Sequence, residues 1–184
     1  MSLFKKSRTP EEVGRILYES IRHGMESTSP LSVVGFLESL DADPDLLDEQ
    51  YLGEIAIGLM FGGALAAERS APPRVAAQTV AGMKAEFLQH LAEQGASTVQ
   101  RAEWESVAAV RFLTYRQELE GYSGFEPPWR VGRRFYWSIL GREDNTAMCV
   151  KIATLYLLEG REVCQRILNE EGPAILLNRG ARRA

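Results

Sequence analysis

Two capping boxes constrain this chain more than any other feature. Thr9-Pro10-Glu11-Glu12 and Ser97-Thr98-Val99-Gln100 each place a hydroxyl three residues before a Glu or Gln. That spacing lets side chain and backbone at a helix start satisfy each other's orphan donors. Pro10 falls at the first helical position, where its missing N–H costs nothing. Val13, Ile16, Leu17 and Ile21 then recur on one face, predicting a helix from Pro10 to His23.

The same punctuation divides the rest. Ser29-Pro30 opens a shorter helix carrying Leu31, Val34, Leu37 and Leu40, which the turn Asp41 to Asp43 stops. Asp43-Pro44 starts a third helix reaching Arg69, with Asp45 and Asp48 favourably placed against the positive end of its dipole. After Pro72-Pro73, the spacing of Val80, Met83, Phe87 and Leu91 marks a fourth, ended by Gly95. The second capping box opens a fifth that reaches Gly121. A Gly/Pro-containing linker, Tyr122 to Trp129, precedes a short helix from Val131 to Leu140. Asp144 or Asn145 caps the next, Thr146 to Glu159, which is apolar nearly all round and expected to be buried. Gly160 separates it from a last amphipathic helix carrying Val163, Cys164, Ile167 and Leu168. With no strand pattern and no internal repeat, the expected fold is all-α, a single compact irregular bundle of about seven helices. It should occupy residues 10–172, between a flexible basic N-terminus, 1–9, and a basic C-terminal tail, 173–184.

The third helix contains Gly53, Gly58, Gly62 and Gly63, each costing about 1 kcal/mol of propensity relative to alanine. Close packing must offset that cost. Gly58 and Gly62 lie four apart and leave a flat stripe for another helix, or for a second copy of the chain; a kink at Gly62-Gly63 is the alternative. In the fifth helix, Trp104, Ala108, Phe112, Tyr115 and Leu119 gather on one side, and Val99, Ala102, Val110 and Leu113 on the other. Such a helix is either sandwiched between layers or offers its aromatic face to a partner.

Composition narrows the class. At 184 residues, 45% hydrophobic and 25% charged, the chain matches ordinary soluble proteins. A net charge of -4 argues against nucleic acid as main partner. Residues 11–50 form an acidic block, ten carboxylates against Arg15 and Arg22. Cys149 and Cys164, set among apolar neighbours, read as buried thiols. The charged first residues lack the apolar run of a signal peptide, and Ile55 to Ala67 is shorter than the 18 or so residues of a membrane span. A cytoplasmic protein without a membrane span is expected.

No phosphate-cradling loop, His-Glu-x-x-His, Cys-x-x-Cys or Gly-x-Ser-x-Gly occurs, so no catalytic residue, metal or cofactor is expected. Asp41-Ala42-Asp43-Pro44-Asp45 alternates carboxylates like a calcium loop, but Leu46 and Leu52 stand where glycine and the bidentate acid are needed. Glu86 and His90 lie four apart and read as a surface pair lacking further ligands. His23, at a helix end, has a structural role through the dipole.

The stretch 127–142 stands out, with two of the three tryptophans, Trp129 and Trp137, and Arg130, Arg133, Arg134 and Arg142 without an acid. Its aromatics can be core with the arginines a solvated rim. It can also bind a protein partner, since arginine and aromatic residues anchor interfaces, or an anion. The expected function is binding of another protein, or homodimerisation, through Trp129, Arg130, Arg133, Arg134 and Trp137. The alternative is a small-molecule or lipid binder, or an enzyme, with a pocket between the third, fifth and seventh helices lined by Trp104, Tyr115, Met60 and Phe61.

Overall fold

The computed structural model describes residues 8–42, 49–120, 126–141 and 147–177, which form seven helices and no strand. Both capping boxes are closed. The Thr9 hydroxyl accepts from the Glu12 amide at 3.2 Å while Thr9 N donates to Glu12 Oε2 at 2.7 Å, opening α1 (Pro10–Glu26). Ser97 and Gln100 repeat the exchange at the start of α5 (Thr98–Leu119). The all-α architecture follows from this punctuation.

The second helix begins later than Ser29-Pro30 implies. The Ser27 and Ser29 hydroxyls both donate to the Gly24 carbonyl, so this turn completes α1. Ser32 then caps α2 (Val33–Ser39) by accepting from the Gly35 amide. Its end is closed by Asp41 in the left-handed region, φ 55°, with Ala42 N donating to the Leu37 carbonyl at 3.0 Å. The expected start of the third helix at Pro44, with Asp45 and Asp48, lies outside the described residues, as do most of the Asp41–Asp45 carboxylates and the Asp144/Asn145 cap. The described helix, α3, is Glu49–Ser70. It is followed by α4 (Pro73–Glu93).

Two boundaries differ from expectation for physical reasons. Helix α6 spans Glu126–Leu140, so Pro127, Pro128 and Trp129 belong to its first turn rather than to a linker. Amides there have no intrahelical partner, and prolines cost little. Helix α7 runs unbroken from Ala147 to Leu177, past Gly160 and past residue 172. Gly160 does not separate two helices. It sits where a Cβ would fall 2.6 Å from the Leu59 side chain, so close packing offsets its low propensity.

Helix α3 is the axis of the fold, in contact with α1, α4, α5, α6 and α7. By length and composition Gln50–Ser70 could cross a bilayer, but 78% of its apolar window is buried inside the fold, as for a core helix. The Gly58–Gly62 stripe is filled from within. Gly58 faces the Phe135 ring, and a Cβ on Gly62 would lie 3.1 Å from the Leu157 carbonyl of α7. This corrects the expectation that the stripe serves a second copy. In α5 the buried Ala108, Phe112 and Tyr115 turn inward, whereas Val99, Val110 and Leu113 face solvent. The aliphatic side, not the aromatic one, is therefore outward. Met148 and Leu155 are likewise exposed, so the start of α7 is not buried all round.

Cys164 is buried, which pushes its thiol up to about 12, and Cys149 is half-buried. Neither forms a disulfide.

Candidate functional site

Helix α6 carries the basic aromatic stretch. Val131, Phe135, Tyr136 and Ile139 are its inner face, and Gly132 lets it approach α7 at Thr154. Phe135 stacks on Phe36 and Tyr156, whose hydroxyl donates to the Leu31 carbonyl at 2.7 Å. On the outer side Arg130 and Arg134 are not a solvated rim. Arg130 Nε donates to Glu118 Oε2 at 2.7 Å and Arg134 Nε to Glu118 Oε1 at 2.6 Å, and Glu118 is only 5% exposed. Burial alone would raise the Glu118 carboxyl, but the two hydrogen bonds and positive charges outweigh it and hold the group below the usual carboxylate range. The Arg133 and Arg134 guanidinium carbons lie 5.1 and 4.9 Å from the Trp137 ring centre. Trp129, at the outset of the helix, is 40% exposed, and Trp137 is half-buried.

Of the residues expected to line a pocket between the third, fifth and seventh helices, Phe61 borders a recess among those helices, and the others pack around it or beside α4. Met60, Phe61 and Tyr115 are buried in the core, where Phe61 packs edge-on against Phe112 and tilted against Tyr115. Phe61 also borders a recess of about 80 Å³ with Leu119, Val131 and Leu157. Half-buried Trp104 lies over Gly53 and meets Phe87 edge-on. Beside this core, Arg111 clasps the buried Glu54 with Nε and the terminal nitrogen Nη2, and the Tyr115 hydroxyl lies 3.2 Å from Ser138 Oγ. Aromatic and methionine side chains at helical spacing here are packing residues.

A larger groove lies elsewhere. About 1040 Å³ in volume, it opens between the C-terminal halves of α1 and α4, the 27–32 turn, one face of α2 and the first turns of α3. Glycines set its α1–α4 wall. A Cβ on Gly82 would lie 2.7 Å from the Glu11 Cα, so the two backbones touch there and hold the side chains that follow in a fixed register. From α1 the wall presents Tyr18, Arg22 and Met25; from α4, Phe87, His90 and Leu91. Both sets follow the three-to-four-residue spacing of a helix face. Val34 and Leu52 line the same groove and are 48% and 40% exposed.

One polar pair is set into this apolar wall. The buried Tyr18 hydroxyl lies 2.9 Å from His90 Nδ1. Burial raises the Tyr18 phenol, opposed by Arg22 and reinforced by Glu19, Glu26 and Glu86. A protonated phenol can donate to Nδ1 of neutral His90, which then carries its proton on Nε2 as a donor. Arg22 is held between Glu19, at 2.7 Å, and Glu26, at 3.1 Å. Glu86 stands 3.8 Å from Arg15, so the Glu86–His90 spacing does not make the expected surface pair: His90 is turned to Tyr18 instead. Among the described residues no group of three potential ligands is placed to hold a metal ion.

The groove was missed in sequence because its walls combine residues 18–38 and 52–56 with residues 87–94 of α4, which only the fold brings together. Its signal was present only in fragments, as Tyr18, Arg22 and Met25 beside His90 and Leu91. No family model matches this chain, and neither the curated proteins nor the solved structures compared with it gave a match.

Proposed function

We propose that this protein binds an amphipathic small molecule in the groove between α1, α2, α3 and α4. The observation that carries the reading is a cavity of about 1040 Å³ in which exposed Val34 and Leu52 accompany the pair of buried Tyr18 and half-buried His90. Ligand sites combine such concave apolar surface with a few fixed polar groups. The apolar side chains supply area for a ligand body, at about 25 cal/mol per Å² covered. The Tyr18–His90 pair supplies direction, and the groove is large enough for a molecule of drug or lipid size.

A neutral solvatochromic dye such as Nile red tests this. It should bind with one-to-one stoichiometry, and Val34→Arg or Leu52→Arg, each a change at an exposed helical position, should abolish binding with the helical circular dichroism retained. Equal binding to both variants would place the dye elsewhere and overturn the reading.

A second reading, contact with another protein through α6, is supported by Trp129, 40% exposed at the start of that helix. Trp129→Ser should then reduce affinity capture of the partner without shifting the melting temperature.

A further inference from the structure

We propose that the groove selects ligands whose polar end is a cation, a hydrophobic amine in chemical terms. The inference rests on the binding reading above and adds the sign of the charge.

Among the described charged side chains that line the groove, Arg22 stands against Glu26 and Glu38. Arg22 is not available to an incoming anion, because its two terminal nitrogens are already taken by Glu19 and Glu26. Glu38 differs. It is exposed on α2, lines the same groove as Arg22, and its carboxylate has no cationic partner among the described residues. The wider surroundings carry the same sign. Among the described residues Glu86 on α4 pairs with Arg15 alone, at 3.8 Å, and both α1 and α2 belong to the acidic block of residues 11–50. Acid-rich walls of one sign raise the local concentration of the opposite charge and repel anions.

The apolar surface fixes the rest of the molecule. Val34 and Leu52 are left uncovered within the groove, and Phe87 and Leu91 form its opposite wall. A cation with no apolar body would leave them in water. A hydrophobic anion would cover them but place its charge beside the unpaired Glu38, with Arg22 already held by Glu19 and Glu26. A hydrophobic amine satisfies both, with its body on Val34 and Leu52 and its ammonium toward Glu38.

Three matched probes separate these cases in calorimetric titration below their micellar concentrations: octylamine, octanol and octanoate. Octylamine should bind about tenfold more tightly than octanoate, with octanol between, since each exposed charge interaction is worth up to a few-fold in affinity. Glu38→Gln should weaken octylamine and strengthen octanoate, each by a few-fold, and leave octanol unchanged. Glu26→Gln should act in the same direction. Raising salt to about 0.5 M should compress the three affinities toward one another. If octanol and octanoate bind as well as octylamine, the charge selectivity is wrong while the groove reading stands. If none of the three binds, the groove reading falls and the selectivity with it. Octylamine bound equally by Val34→Arg would locate it outside the groove and overturn the proposal.

Discussion

Arg134 donates from Nε to Oε1 of Glu118 at 2.6 Å, across the gap between α5 and α6. With Arg130 on the other oxygen, the carboxylate is clamped on both sides while only 5% exposed. Arg130 and Arg134 are therefore part of folding. Replacing Arg130, Arg133 and Arg134 together by alanine should destabilise the protein by about 3 kcal/mol, because a buried carboxylate is left without compensation. Denaturant unfolding measures this, and an unaltered midpoint would return the arginines to a solvated role. Since Glu118 titrates below the ordinary carboxylate range, its contribution is present above that range and is lost as pH falls through the lowered folded value. The triple variant should accordingly show a shallower loss of stability on acidification.

Gly58 sets a stricter limit. The Phe135 ring occupies the place of its Cβ, and Phe135 is itself fully buried between α3 and α7. Gly58→Leu should cost more than about 2 kcal/mol despite its better helix propensity, since neither ring nor backbone has room to yield. Gly58→Ala should also destabilise the fold. A neutral alanine variant would mean that α6 moves aside without cost.

How much of this was legible depended on the range of the interaction. The two capping boxes are local, and Thr9 with Glu12 and Ser97 with Gln100 form as their spacing demands. Gly58 announced a close approach, but not whether Phe135 or a second copy of the chain made it. Gly160 misled for the same reason: its low propensity is visible in sequence, whereas the Leu59 side chain that offsets it is a hundred residues away. Glu118 gave no sign of pairing with Arg130 and Arg134, since helix-face arithmetic does not reach across a turn. The groove needed four segments in register, and only the structure brings Tyr18 to His90.

Asp41 offers a stabilising change. It adopts φ 55° at the end of α2, a conformation that costs a side-chain-bearing residue free energy and that glycine takes without strain. Asp41→Gly should raise stability by about 0.5–1 kcal/mol, the strain relief exceeding the added entropy of the unfolded chain. Thermal melts of the two proteins side by side decide it. A loss of stability would show that the aspartate side chain makes a compensating interaction at this turn.

Tyr18, Tyr115 and Tyr156 share one property with a measurable sign. Burial raises all three phenols above the ordinary tyrosine value, with lesser effects from neighbouring charges at Tyr18 and from Ser138 and nearby charges at Tyr115. A group whose folded value is raised contributes stability that is fully present below the unfolded value, about 10, and is lost as pH rises toward the folded one. The protein should therefore lose stability in alkali, with tyrosinate absorbance from these residues appearing together with unfolding rather than before it. Tyr18→Phe should remove one such contribution and flatten the alkaline limb of the stability curve. At neutral pH it should cost about 1 kcal/mol, because His90 Nδ1 loses its partner. If tyrosinate forms fully while the helical signal is intact, the three phenols are open to solvent and the Tyr18 hydroxyl is not buried as described. Retained helicity with weakened dye binding in Tyr18→Phe would instead assign the hydroxyl a part in recognition.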